Sequence, residues 1–296
     1  MRMVVSELVM LVAVLLLVAY FTMVERKVLG YGQLRKGPNK SLFMGLGQPL
    51  LDGVKLMMKS FVSLKNSDSG IYLYFPMLVF GVMMCLWVLS LSLFGMKGFP
   101  YFVYVFLLFV GFMVVVDFML SVYSGSKFGA IGAMRGLAQM VSYEILMGLI
   151  VILVFMEGYC FEPNSMGLAV YHFPVLIIWW VVCVVESNRA PMDFMEGESE
   201  LVSGFNVEYG SVLFAMLFLG EYGIMALYSV LSVYLFFSIE MSGLVVFMSL
   251  SLMMMFLWWR LTYPRYRYDL LMNMSWCVFL PVVLIIFISS TIMISL

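Results

Sequence analysis

The sequence predicts an all-α membrane protein, a polytopic helix bundle. Its mean hydropathy is +1.07, and 64% of its 296 residues are hydrophobic whereas only 11% are charged. Apolar runs recur along the whole chain, and they are much longer than the roughly ten residues of a barrel strand. Because backbone groups in hydrocarbon must be satisfied within the structure itself, we expect helices and one integral membrane domain, 1–296.

Eight segments have the apolar length, roughly 20 residues, that a spanning helix needs. They are 4–24, 71–94, 100–122, 138–157, 171–186, 211–233, 241–260 and 276–295. The connections after spans one, three, five and seven carry 14 of the 16 lysines and arginines. Basic connections stay on the cytoplasmic or matrix side, so both termini are predicted on the opposite side. The 30 methionines further indicate synthesis on organellar ribosomes.

The first basic connection combines a charged turn with a short amphipathic helix. It begins with Glu25 beside two bases and continues to a Gly-Pro-Asn turn at Asn39. In 48–59, Asp52 and two lysines share one helical face, and apolar residues form another. This segment is too short to span, so we expect it in the membrane interface, bordering an opening for a lipid-like molecule. A plain positive-inside anchor is the alternative interpretation.

Carboxyl groups recur inside the apolar spans. Glu144 lies in the fourth span and Glu221 in the sixth, while Asp117 lies in the third and Glu186 ends the fifth. A charged carboxylate costs several kcal/mol in hydrocarbon unless it is paired or protonated. One such acid can be a structural hydrogen-bonding group, but several on different helices indicate a proton relay.

A dense acidic run, 186–209, connects the fifth and sixth spans. It holds six of the 17 acids of the chain together with Arg189. In a soluble protein such a run is usually a solvated loop. Between two membrane spans it favours the handling of protons or cations, and we predict it on the matrix side as the loop 186–210.

Residues that bind the common redox cofactors are scarce. The single histidine, His172, rules out a haem held by two histidines of this chain. Cys85, Cys160, Cys183 and Cys277 lack the spacing of iron–sulfur or zinc sites, and glycine-rich nucleotide motifs are missing from the sequence. We therefore predict no metal and no cofactor bound by this chain alone.

Several motifs, in this order along nearly the whole chain, resemble the subunit-1 family of respiratory complex I, the NADH–ubiquinone oxidoreductases. They are Glu25-Arg-Lys…Gly-Pro-Asn39, Gln48-Pro-Leu-Leu-Asp…Lys59, Gly132-Ala-Met-Arg…Ala-Gln…Ser-Tyr-Glu144, the run 186–209, Glu221-Tyr222 and Tyr263-Pro-Arg-Tyr-Arg-Tyr-Asp-Leu-Leu-Met272. The resemblance implies a core membrane subunit of the proton-translocating NADH:ubiquinone reductase, inactive alone. It also implies the mitochondrial inner membrane, with both termini on the intermembrane-space side.

The resemblance further implies a substrate and partners. Ubiquinone would be reduced in a chamber that this chain forms with peripheral hydrophilic subunits. FMN and the iron–sulfur clusters would belong to partner subunits. Neighbouring antiporter-like subunits of the membrane arm and the lipid bilayer complete the expected partners, and no nucleic acid is expected.

By matching motif, the resemblance assigns the charged residues to two groups. The quinone-binding candidates are Glu25, Arg26, Arg35, Asp52, Arg189 and Asp193. The proton-relay candidates are Glu144, Glu186, Glu196, Glu198, Glu200, Glu208 and Glu221. Arg189 and Arg135 are the candidate countercharges of the relay acids.

The chain departs from the family pattern at several positions. Ser60 stands where glutamate is usual and Cys277 where lysine is usual. Val122-Tyr123 replaces a common Gly-Trp, and Met192 replaces a phenylalanine. None of these changes removes a relay acid, but a charge role at positions 60 and 277 is left in doubt.

Two other classes of membrane protein remain as alternatives. A secondary transporter would explain acids inside the spans, although the sequence shows no repeated half with corresponding broken segments. A purely structural membrane anchor would explain contacts with partners, but it would leave Glu144 and Glu221 without a purpose.

Overall fold

The computed structural model describes residues 2–60, 69–95, 101–160, 167–195, 208–237 and 242–295. The helices are α1 (Arg2–Gly32), α2 (Gln48–Met58), α3 (Ser69–Gly95), α4 (Tyr101–Tyr123), α5 (Lys127–Cys160), α6 (Gly167–Glu186), α7 (Ser211–Phe237), α8 (Ser242–Thr262), α9 (Tyr268–Asn273) and α10 (Leu280–Ser295). A 3₁₀ turn covers Phe43–Gly45, and a π-helical turn, Met274–Phe279, joins α9 to α10. The regular elements of these ranges are all helical, which confirms the predicted all-α class.

The number of apolar helices agrees with the predicted bundle. Within the described ranges, seven helices are long and apolar enough to cross a membrane. The shorter apolar segment Phe173–Glu186 belongs to α6, a helix of 20 residues. Together these account for the predicted set of about eight spans.

Two helices extend well beyond the predicted spans. The first continues to Gly32 instead of ending near residue 24, and α5 begins at Lys127 instead of near residue 138. Hydropathy detects only the part of a helix that lies in hydrocarbon. The backbone hydrogen bonds of a helix are internal, so it can continue through charged residues once it leaves the apolar layer.

The central helix is α7, which packs against α1, α3 and α8. Its glycines permit a close approach to α3. A Cβ atom on Gly220 would lie 2.6 Å from Cγ1 of Val79, and one on Gly223 would lie 2.7 Å from Cγ of Met83. This packing places Glu221, between the two glycines, in the interior of the bundle.

The predicted short amphipathic helix is present as α2. A proline stands in its first turn, where the missing N–H leaves no helical hydrogen bond unmade. None of its residues is buried, and the apolar side chains of Leu51, Val54 and Met58 are more than half exposed. The helix contacts α1 and α7, and its Asp52 accepts a hydrogen bond from Arg26 of α1.

The part of the connection after α6 that the structure describes, residues 187–195, is largely buried, which is unusual for a loop. Its backbone groups are therefore hydrogen-bonded to neighbouring elements. The Gln139 side-chain amide donates to the carbonyl oxygens of Val185 and Met192, both at 3.2 Å, and the Tyr266 amide donates to Pro191 at 3.1 Å. These residues are thus fixed between α5 and the segment after α8. Met192, one of the departures from the family pattern, contributes its backbone to this arrangement.

Candidate functional site

Five side chains form a cluster that joins α1, α7, α8 and the connection after α6. Two are carboxylates, two are guanidinium groups and one is a phenol. The members are Glu25, Arg189, Glu221, Tyr222 and Arg260, and we refer to them as the central cluster.

Glu25 lies at one end of the central cluster and is only 5% exposed. One of its carboxylate oxygens accepts a hydrogen bond from Arg260, and the other accepts one from the Tyr222 hydroxyl. A buried carboxylate is tolerated only when it is paired and hydrogen-bonded in this way. Glu25, a predicted quinone-binding residue, is therefore held in place by Tyr222 and Arg260, which were not among the predicted site residues.

Arg189 and Glu221 form the other end of the central cluster. The guanidinium Nη2 lies 2.8 Å from a Glu221 carboxylate oxygen, and both side chains are largely buried. The guanidinium carbon also lies 4.2 Å from the centre of the Tyr222 ring, a cation–π contact. Tyr222 thus touches Glu25 with its hydroxyl and Arg189 with its ring, and the cluster is continuous from Arg260 to Glu221.

A second ion pair lies next to the central cluster at the protein surface. Arg26 Nη1 lies 2.7 Å from Asp52 Oδ2, and Gln48 donates to the other Asp52 oxygen at 2.8 Å. The Arg26 and Asp52 side chains are 54% and 34% exposed, so the pair contributes about 0–1 kcal/mol to stability. Its structural effect is to connect α1 with α2.

Asp193 extends the charged region along the buried connection after α6. Its carboxylate is 3.6 Å from a guanidinium nitrogen of Arg265, and Asp193 is 5% exposed. Phe194, the next residue, packs edge-on against Tyr268. The buried connection therefore supplies both Arg189 and Asp193 to the site.

Three polar side chains line a small cavity within the bundle. Asp117 comes from α4, Glu186 from the end of α6 and Tyr228 from α7, and the rest of the lining is apolar. The cavity measures about 20 Å³, enough for about one water molecule. One Glu186 oxygen is buried and has no hydrogen-bond partner among the described residues. A protonatable group with a free acceptor atom beside room for water is suited to exchange a proton.

Glu144 is the relay candidate on α5, and its carboxylate faces α4. A Cβ atom built on Gly111 would lie 2.4 Å from Oε1 of Glu144. The glycine therefore leaves the space that this carboxylate occupies between the two helices.

The remaining relay candidates lie elsewhere along the acidic run. Glu208 is described, and its carbonyl accepts a hydrogen bond from the Tyr72 hydroxyl. The adjacent Tyr209 stacks on Tyr72 with ring centres 4.5 Å apart. Burial, and secondarily the neighbouring Tyr72, raise the pKa of the Tyr209 phenol, so this hydroxyl stays protonated and donates to Leu120. Glu196, Glu198 and Glu200 lie outside the described residues.

The structure also describes two further basic residues that the sequence singled out. Arg35 is exposed in the turn after α1, where its backbone amide donates a hydrogen bond to the Gly30 carbonyl oxygen. Arg135 is half-buried on α5. Of the two candidate countercharges, Arg189 is the one that forms an ion pair with Glu221.

In the part of the chain that the structure describes, no three His, Cys, Asp or Glu side chains are placed to hold a metal ion. Cys85, Cys183 and Cys277 are free thiols, and Cys277 is exposed.

Two members of the central cluster could not be identified as site residues from the sequence. Arg260 ends an apolar span and reads as an ordinary positive-inside anchor. Tyr222 is one of 17 tyrosines, and only its position directly after Glu221 distinguishes it. An aromatic hydroxyl beside an acid in a span is the signal that could have identified Tyr222.

Comparison with known proteins identifies the relatives of this chain. The sequence model of the family described as NADH dehydrogenase matches residues 5–291. A Branchiostoma lanceolatum protein named NADH-ubiquinone oxidoreductase chain 1 is 41% identical over 279 residues, which cover 91% of this chain and 89% of that protein. Proteins of the same name from Heterololigo bleekeri and Aedes aegypti are 41% and 37% identical. These two alignments each cover 94% of this chain, and 93% and 91% of the respective relatives.

Proposed function

The chain belongs to the NADH dehydrogenase family and is a core membrane subunit of NADH–ubiquinone oxidoreductase, and we propose that it forms part of the ubiquinone chamber and couples quinone reduction to proton translocation. This membership favours a subunit of an oxidoreductase over the secondary-transporter alternative. The observation that carries the proposal is the continuous central cluster, which links a charged surface region at the end of α1 to an acid inside the bundle.

The surface end of the cluster suits a quinone headgroup. Reduction of ubiquinone to ubiquinol consumes two electrons and two protons, so negative charge develops at the quinone oxygens. Partner subunits would supply the electrons. Arg260 of the cluster and Arg26 of the adjacent surface pair are then the charges of this chain that stabilise the developing oxyanion. Glu25 holds Arg260 in position, and Asp52 holds Arg26.

The inner end of the cluster suits the transmission of that event. A charge that competes with Glu25 for Arg260 weakens the Glu25 ion pair. Tyr222 donates a hydrogen bond to Glu25 and contacts Arg189 with its ring. A displacement of Glu25 therefore changes the surroundings of the Arg189–Glu221 pair. Release of Glu221 from its countercharge alters its affinity for a proton. Asp117, Glu186 and Glu144 provide further carboxyl groups along the bundle for the following proton steps.

The surface pair provides a direct test of the quinone part of the proposal. We expect Arg26→Ala or Asp52→Ala to lower ubiquinone reduction about tenfold, the effect of about 1.4 kcal/mol of lost transition-state stabilisation. The oxidation of NADH by an artificial acceptor at the peripheral arm should persist, because the exposed pair adds little stability. Both rates are measured on the same purified complex.

A charge exchange provides the matched control. The double variant Arg26→Asp with Asp52→Arg keeps the pair but reverses it, so the link between α1 and α2 is retained. We expect the complex with this double variant to assemble, but its rate of ubiquinone reduction should stay as low as in the single variants. Equal loss of both activities in the single variants would indicate failed assembly and would contradict the assignment.

The membrane location and orientation are part of the same proposal. We propose that the chain lies in the mitochondrial inner membrane as a multi-pass protein, with both termini in the intermembrane space and the loop 186–210 in the matrix. The support is the bias of 14 of 16 basic residues towards one side.

A C-terminal tag tests this orientation. In mitochondria whose outer membrane has been opened, we expect an impermeant reagent to label the tag before the inner membrane is permeabilised. A cysteine introduced at position 210, which is exposed, should be labelled only after the inner membrane has been permeabilised. Labelling of the tag only from the matrix would overturn the orientation.

A further inference from the structure

A basic pocket lies between the end of α1 and the turn that follows it. It measures about 170 Å³, more than ten times the room that one water molecule needs, about 10–15 Å³. Its lining consists of two lysines, two neutral polar side chains, and a glycine, a proline and a methionine. The lining residues are Lys27, Tyr31, Lys36, Gly37, Pro38, Asn39 and Met44.

The pocket is built by close contact between the turn and the helix. A Cβ atom on Gly37 would lie 2.9 Å from the Lys27 Cα and 3.1 Å from the Arg26 carbonyl oxygen. Only a glycine lets the backbone approach so closely, and the approach brings Lys36 and Asn39 beside Lys27. No ion pair between Lys27 or Lys36 and an acid is found among the described residues.

The pocket is separate from the surface pair of the candidate site. Lys27 follows Arg26 by one residue, so its side chain leaves the helix about 100° further round. Arg26 turns to Asp52 on α2, whereas Lys27 borders the pocket. The two neighbouring basic side chains therefore face different parts of the structure.

The depth of the pocket in the membrane matches the phospholipid headgroups. The apolar part of α1 ends at Val24, and Lys27 is three residues further, about 4.5 Å along the helix axis. The headgroup layer is roughly 5–7 Å thick on each side of the hydrocarbon. For a helix along the bilayer normal, Lys27 consequently lies at the level of the lipid phosphates. Tyr31, about 10.5 Å beyond Val24, lies outside that layer, but helical side chains lean back towards the helix N-terminus and so towards the phosphates.

The surroundings combine positive charge with exposed apolar surface. Residues 26–59 contain seven lysines and arginines and a single acid. In the turn, Phe43 is 87% exposed and Met44 is 72% exposed. A free anion would need only the charge, but a phospholipid would use the lysines for its phosphate and the apolar side chains for its acyl chains.

We propose that this pocket binds the phosphate of an anionic phospholipid from the leaflet that meets the end of α1. Lys27 and Lys36 supply the positive charge, and Asn39 and the Tyr31 hydroxyl donate hydrogen bonds to the phosphate oxygens. The exposed apolar side chains of the turn and of α2 lie against the acyl chains. The occupied pocket fixes the turn to α1.

The test measures lipid binding to the intact, detergent-purified oxidoreductase. Phosphatidylglycerol is added in mixed micelles of detergent and phosphatidylcholine, and its affinity is determined from the increase in thermal stability of the complex. We expect Lys27→Gln with Lys36→Gln to weaken this affinity about 30-fold, at roughly fivefold for each lysine. Lys27→Arg with Lys36→Arg should retain the affinity, because both charges remain.

Three further comparisons decide between this site and its alternatives. Lys55→Gln in α2 with Lys59→Gln directly after α2 removes the same charge outside the pocket and should change the affinity less than twofold. An equal loss in that variant would show general surface electrostatics and overturn the proposal. Equal stabilisation by inorganic phosphate would show a free-anion site instead. Loss of a peripheral subunit from the Lys27/Lys36 variant, without any dependence on phosphatidylglycerol, would show a protein-docking surface.

Discussion

Replacing Glu221 by glutamine is expected to lower quinone-linked NADH oxidation about 100-fold or more. The carboxylate lies 2.8 Å from Arg189, and the two side chains are only 19% and 12% exposed. Glutamine keeps the size of the side chain but cannot release an acid proton. It also removes the carboxylate from the Arg189–Glu221 ion pair, and breaking a buried pair costs about 3–5 kcal/mol. The rate per assembled complex and its thermal stability are measured together.

A compensating variant separates these two consequences. In Glu221→Gln with Arg189→Gln, both charges are gone and the two amides can bond to each other. We expect thermal stability to recover towards that of the unchanged protein while quinone-linked oxidation stays low. Recovery of the rate in this double variant would mean that Glu221 acts only as the partner of Arg189, and the relay role would be withdrawn.

The sequence predicts the class of the fold well because the membrane simplifies the problem. Apolar length alone identifies α3, α4, α7 and α8. Helix ends are predicted less well, as α5 shows, because a helix does not stop where its hydrophobic stretch stops. The burial of residues 187–195 after α6 could not be predicted either, because a polar run between two spans is typical of an exposed loop.

The acids of the candidate site could be recognised from their apolar surroundings, but their partners could not. Glu25 is 235 residues from Arg260 and 197 residues from Tyr222 along the chain. Residues so far apart meet only through helix packing, which no spacing rule predicts. Arg189 and Glu221 are only 32 residues apart, and the sequence did predict Arg189 as a candidate countercharge of the relay acids.

Replacing Glu144 by glutamine is the cleaner test of proton transfer. No ion pair or hydrogen bond of this side chain is found among the described residues, so a neutral amide should not leave a stranded countercharge. The variant should therefore assemble. If Glu144 carries protons, quinone-linked oxidation and proton translocation in sealed vesicles should both fall about 100-fold. A purely structural role predicts little change in either, because an amide is cheaper to bury than a charge.

A pair of glycine substitutions tests the same relay while the acid remains present. In Gly111→Ala the new methyl group would lie 2.4 Å from Oε1 of Glu144, so the carboxylate must move. The side chain is flexible and can do so at little cost to the fold. Gly148→Ala on α5 meets only a methyl of Leu107 at 4.0 Å, which makes it a matched control. We expect proton translocation to fall at least tenfold in Gly111→Ala and to stay unchanged in Gly148→Ala, because a misplaced donor loses most of its proton-transfer rate. Unchanged translocation in both Gly111→Ala and Glu144→Gln would remove Glu144 from the relay, since neither its proton nor its position would then matter.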